Sequence, residues 1–172
     1  GEVGPVHPVH GVYLQDWLLE DTDYSWRLDP SHGQSSAMAD IGSHWLDLMT
    51  FVTGQRVAAV NADLATFIET RREPTGPVTT FSTERAADAV ERHIATEDAA
   101  TILLRFENGA RGTVAISQIS AGRKNSLQYE IDGSESSWAW DSEQPDQAWI
   151  GHRDRPNEII IRNPADPPMI MR

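Results

Sequence analysis

Apolar residues recur at steps of three and four between positions 35 and 54, where Met38, Ile41, Trp45, Leu48, Met49 and Val52 form one stripe. This spacing predicts an amphipathic helix over residues 35–54, with Gly54 as its stop. Around it the pattern changes. Val3, Val6, Val9 and Val12 stand among turn formers and predict a first strand over residues 1–13, which His10-Gly11 should end or bend. Residues 14–30 mix Trp17, Tyr24 and Trp26 with acids in no sustained period, and predict a loop with a short helical turn.

Beyond the helix, residues 57–70 are β-branched and aromatic in character with partial alternation, and predict one long strand. Residues 71–97 turn polar and carry Pro74, Gly76 and Pro77, which reads as an excursion. Two apolar runs, 99–106 and 110–120, flank Glu107-Asn108-Gly109, and Asn-Gly between such runs predicts a hairpin. A second pair, 126–131 and 137–140, surrounds Asp132-Gly133; residues 147–151 and 158–162 complete the strands before a Pro-rich tail at 163–168. One helix followed by a run of strands predicts an α+β fold: a largely antiparallel or mixed open sheet with helices on one face. No G-x-G-x-x-G follows a strand and opens a helix, so no dinucleotide phosphate cradle is expected in this chain.

Composition narrows the function. A chain of 172 residues suits a single domain over 1–172 with a sizeable core. The net charge of −12 repels nucleic-acid phosphates and anionic lipid surfaces, so neither is an expected partner. With no cysteine, disulfide frameworks, thiolate metal sites and cysteine nucleophiles are excluded. No segment approaches the roughly 18 apolar residues of a membrane span, and no signal peptide opens the chain; the cytoplasm is the default expectation.

The candidate chemistry lies at the start of the helix. Asp40, His44 and Asp47 are spaced four and three and share one helical face, apart from the apolar stripe. An imidazole between two carboxylates suits proton transfer, because carboxylates orient the ring and favour its charged form. The same spacing is equally that of a hydrogen-bonded structural histidine and a capping aspartate. Gly42, at a helix start, fits where something approaches the backbone closely. Tyr13, Gln15, Trp26 and Arg27 could hold a sugar through ring stacking and directional hydrogen bonds, whereas Trp17 and Trp45 read as packing residues and His10 and His32 as surface or loop residues. Imidazole and carboxylate at His32, Asp40, His44 and Asp47 would also suit a divalent metal, and hence a metal-dependent sugar lyase, isomerase or hydrolase. No spacing matches a named metal motif, so no metal is assigned.

The longer string settles the reading. Trp26-Arg27-Leu28-Asp29-Pro30, then residues 33–39, then ADIGSHWLDLMTFVTG over 39–54, with His10 to Trp17 upstream, closely resembles the Gfo/Idh/MocA family of glucose-fructose oxidoreductases and inositol dehydrogenases. The resemblance is to its C-terminal domain, whose sheet is like that of dihydrodipicolinate reductase. It implies a nicotinamide-dependent oxidoreductase acting on a sugar or polyol, with NAD or NADP held mainly by an N-terminal Rossmann domain outside this chain, so cofactor-binding residues here are unassigned. His44 would be the acid/base and Asp40 its catalytic assistant, Asp47 would orient His44 or contact substrate, and Tyr13, Trp26 and Arg27 are the other candidate substrate contacts. It also implies homo-oligomerisation through the open sheet face, and little activity for this domain alone. Relatives carry a catalytic Lys in a Glu-Lys-Pro motif on the Rossmann side, and the only Lys here is Lys124, in an Arg-Lys-Asn loop. A non-catalytic binding or assembly module is the remaining alternative.

Overall fold

Eight strands form one mixed sheet in the computed structural model, which describes residues 3–76, 88–163 and 165. In chain order they are β1 (Val6–Leu14), β2 (Val57–Ala65), β5 (Ala99–Phe106), β6 (Arg111–Ser117), β7 (Ser126–Gly133), β8 (Ser137–Asp141), β9 (Gln147–Gly151) and β10 (Glu158–Ile161). A separate two-stranded hairpin joins β3 (Thr70–Pro74) to β4 (Ala89–His93). The sheet order is β10-β9-β8-β7-β1-β6-β5-β2. Every pairing in it is antiparallel except β1 with β6, which run parallel. The expected α+β architecture is therefore observed.

The helix is built in two pieces, a π-helical turn at Met38–Gly42 and α1 at Ser43–Thr53, ended by Gly54 in the left-handed conformation at φ 64°. Trp45 and Met49 of α1, with Ile41 of the turn, sit against Val9 and Tyr13 of β1, alternate residues of β5 and β6, and Tyr129 and Ile131 of β7. That alternation is complete in β5, where Ala100, Ile102, Leu104 and Phe106 are buried under the helix and Thr101, Leu103 and Arg105 are exposed. One face of the sheet is thus covered and the other open.

Three expectations are corrected. The first strand does not end or bend at His10-Gly11 but runs through to Leu14. Gly11 is needed there for a different reason: a Cβ would stand 2.1 Å from the Gln128 carbonyl oxygen and 2.9 Å from the Trp45 indole nitrogen, which donates to that same carbonyl at 3.1 Å. The helix is pinned to the sheet through that gap. Gly11→Ala should cost about 1–3 kcal/mol through overpacking against backbone, and a urea midpoint equal to that of the parent would contradict it.

Second, the strand expected over 57–70 stops at Ala65, because the Phe67 and Ile68 amides turn to the Asp98 carboxylate at 2.7 and 2.8 Å instead of a neighbouring strand. Third, the polar stretch 71–97 contains the β3–β4 hairpin; the middle of that expected excursion, residues 77–87, and most of the Pro-rich tail lie outside the described residues. The Asn-Gly hairpin forms as expected, with Gly109 at φ 91°.

Candidate active site

The parallel strands β1 and β6 end side by side, Leu14 opposite Ser117, and Gln118, just past β6, reaches the start of the helix at Asp40. Carboxyl ends of parallel strands are where open α/β sheets gather ligand-binding groups. From β1 the chain continues through Gln15 and a loop to a 3-10 turn at Trp26–Leu28; from β6 it continues through Gln118.

Glu97 organises the helix start. It is buried, and one of its carboxylate oxygens accepts from the Ser36 amide at 3.0 Å, the Met38 amide at 2.8 Å and the Ser35 hydroxyl at 2.7 Å. These amides are the orphan donors of the helix start, so a carboxylate brought from the entry to β5 acts as the cap that no local side chain supplies. The following turn is π-helical, its closing bond running from the Ser43 amide to the Met38 carbonyl. Gly42 leaves room for the Met38 thioether, 2.7 Å from where a Cβ would stand, so the close approach read from that glycine is internal packing. Glu97→Ala should unsatisfy these donors and cost about 1–3 kcal/mol. The measurement is a denaturant melt, and a loss below half a kcal/mol would contradict the cap.

Asp40, in the π-helical turn, is half-buried and held from two sides. Gln118, fully buried, donates from Nε2 to one carboxylate oxygen at 2.8 Å, and the Arg27 Nε lies 3.2 Å from the other. The Arg27 guanidinium stands 4.6 Å over the ring of Trp26, which is largely exposed and has the His32 ring beside it at 5.4 Å. Tyr13 is buried and donates its hydroxyl to Asn125 Oδ1 at 2.9 Å; Gln15 donates to the same oxygen at 2.7 Å and accepts from the Trp17 indole at 2.7 Å. Burial raises the Tyr13 phenol above its ordinary range, the Asn125 bond opposes the rise, and the nearby Asp40 charge adds to it. Tyr13 is therefore a neutral hydrogen-bonding group at physiological pH.

His44 and Asp47 are both exposed on α1. Among the described residues, no hydrogen bond or ion pair joins the His44 ring to Asp40 or to Asp47. The expectation that Asp47 orients His44 therefore gains no support from this geometry, and Asp40 is turned toward Arg27 and Gln118 instead. Nor do His32, Asp40, His44 and Asp47 converge as metal ligands; the one group of three or more His and carboxylate residues that does, among the described residues, lies elsewhere. Trp45 is core, as expected, and Trp17 is half-buried in the Gln15 network.

The GFO/IDH/MocA C-terminal domain matches residues 1–139 of this sequence. The chain belongs to the GFO/IDH/MocA family. It is 32% identical over 151 residues to levoglucosan dehydrogenase of Pseudarthrobacter phenanthrenivorans, covering 87% of this chain and 38% of that relative. Among solved structures, apo levoglucosan dehydrogenase superposes with a TM-score of 0.86 at 30% identity, over 97% of this chain and 43% of that one. An oxidoreductase domain protein from Kribbella flavida gives 0.80 at 32% identity, over 94% and 42%. The chain thus spans about two fifths of these relatives.

Sequence reading missed three residues that hold the candidate site together: Glu97, Gln118 and Asn125. A carboxylate pair, Glu97-Asp98, directly before the apolar run of β5 was the available signal for the first, since charges at the threshold of a buried strand need partners. Gln118 and Asn125 carried none.

Proposed function

We propose that this chain is the substrate-side domain of a nicotinamide-dependent oxidoreductase acting on a sugar, polyol or related polyhydroxylated compound. The observation that carries this reading is the grouping of Asp40, Arg27, Gln118 and Tyr13 at the carboxyl ends of β1 and β6, one helical turn before the exposed His44. Charged donors and acceptors with an exposed indole beside them suit a ligand of many hydroxyls and apolar C–H faces. Solved forms of levoglucosan dehydrogenase described as complexes with NADH and L-sorbose, and with NADH and levoglucosan, support the same class.

In this reading His44 takes the proton of the substrate hydroxyl as the carbonyl forms, and returns it in the reverse direction. Asp40 fixes a neighbouring hydroxyl through its carboxylate, with its own position set by Gln118 and Arg27. Trp26 and Arg27 border the sugar, Tyr13 contributes a neutral polar edge, and Asp47 contacts a more distant hydroxyl. In this reading NAD or NADP is held mainly by a Rossmann domain outside this chain, which spans about two fifths of its relatives. When bound there, NAD or NADP supplies the hydride acceptor.

The open face of the sheet, with Leu103, Ile159 and Ile161 exposed, supports pairing with a second copy of the chain. Among the described residues no helix is long and apolar enough to cross a membrane.

The deciding experiment is a panel of sugars, polyols and their keto forms offered to the full-length protein with NAD and NADP, read as reduced-nicotinamide absorbance. Turnover of at least one polyhydroxylated compound is expected; none across the panel would overturn the reading.

A further inference from the structure

On the open face of the sheet, away from Asp40 and His44, the structure assigns a second site: we propose that His10, Glu130 and Asp132 bind a divalent transition-metal cation. His10 of β1 stands directly opposite Glu130 of β7, and Asp132 lies two residues along β7, on the same face. The His10 Nε2 is 3.7 Å from an Asp132 oxygen and 4.0 Å from a Glu130 oxygen, and one ligand atom from each of the three lies within 4.8 Å of the others.

These separations are too long for hydrogen bonds and close to what a shared ion requires. Nitrogen and oxygen ligands at roughly 2.0–2.2 Å from a zinc-like ion stand roughly 3.4 Å apart in a tetrahedron. Small side-chain rotations at a half-exposed site close the difference. Two carboxylates on one face of one strand also repel each other, in a chain already at −12, and a dication removes that repulsion.

The outer shell is partly in place. The Ser137 hydroxyl donates to Asp132 Oδ1, which leaves Oδ2 facing His10. Hydrogen bonds of this kind orient ligating carboxylates. A cavity of about 530 Å³ opens beside the trio and is lined by His10 and Glu130 together with Trp140, Trp149 and Gln128. Three protein ligands would leave coordination positions toward that space for water, a small anionic ligand or, where a second copy pairs on this face, a group of that copy. A mixed set of one imidazole and two carboxylates suits Zn²⁺, Co²⁺ or Mn²⁺ better than a soft cation.

The test is equilibrium dialysis of the full-length protein against Zn²⁺ alone, with Co²⁺ absorbance as a second reading of the ligand field. One equivalent bound is expected in the parent, abolished in His10→Ala and Asp132→Asn and weakened about 10–100-fold in Ser137→Ala. His152→Ala is the control, because His152 with Glu158 forms a separate imidazole–carboxylate pair at 2.8 Å. Thermal melts establish that the variants remain folded. Absence of stoichiometric binding in the parent, or binding that survives His10→Ala and disappears in His152→Ala, would overturn the assignment.

Discussion

Arg71→Ala should destabilise the domain by about 3–5 kcal/mol, the cost of stranding one member of a buried ion pair. Arg71 and Asp98 are 0% and 1% exposed, with Nη2 of Arg71 3.0 Å from the Asp98 carboxylate. The guanidinium also donates to three carbonyls of the loop that follows β1: Leu18 at 2.8 Å, Glu20 at 2.8 Å and Asp23 at 3.0 Å. The other Asp98 oxygen receives the Phe67 and Ile68 amides. Truncation therefore leaves a buried carboxylate without its counter-charge and the Leu18 and Asp23 carbonyls without that donor, while the Glu20 carbonyl keeps the Asp23 amide at 3.0 Å. Lysine would not rescue it, since a single ammonium on an unforked stem of shorter reach cannot meet carbonyls and carboxylate together.

The neighbouring residue supplies the contrast. Arg72 pairs with Asp21 at 3.2 Å, but both side chains are more than half exposed, and Arg72→Ala should cost well under about 1 kcal/mol. Urea melts of both variants decide the matter, and equal losses would refute the buried staple. The consequence reaches the site, because the loop tied down by Arg71 is the one that carries Trp26 and Arg27.

That staple marks the boundary of what sequence alone made legible. Where burial alternates with a regular period, the pattern sufficed: the three-and-four stripe marked the helix with Trp45 and Met49 inward, and Asn108-Gly109 marked the turn between β5 and β6. The string from Ala39 to Gly54, with Trp26-Arg27 before it, located the family and the Asp40–His44 segment. What stayed hidden depends on contacts between residues far apart in the chain. Nothing local to β1 says that it inserts between β6 and β7, parallel to one and antiparallel to the other.

The β3–β4 hairpin was obscured by its own composition, since all five β4 residues are exposed, three of them (Glu91, Arg92 and His93) are polar or charged, and no apolar alternation marks it. Asp40 illustrates the same limit at the site. Helical spacing placed it on a face with His44 and Asp47, yet its partners are Gln118, 78 residues away, and Arg27 across a loop. Side-chain spacing within one helix orders the candidates, but the long-range partners decide which way each one turns.

His44→Ala in the full-length protein should lower kcat by about 10²–10⁴-fold on a substrate identified by the panel, the range that a positioned general acid or base contributes. Stability should hardly move, within about half a kcal/mol, because His44 is exposed and away from the apolar stripe. That split between turnover and folding separates a proton-transfer role from a structural one. Asp40→Asn provides the complementary measurement. The amide oxygen of Asn can still accept from Gln118, but the charge facing Arg27 is gone, so substrate positioning should suffer through a guanidinium released from its partner. A rise in KM accompanying any fall in kcat is the signature expected of Asp40, whereas His44 acts on kcat. Should His44→Ala retain parental turnover while Asp40→Asn loses it, the acid/base assignment to His44 would fall and the Asp40 carboxylate, which Asn cannot replace as a proton acceptor, would take its place.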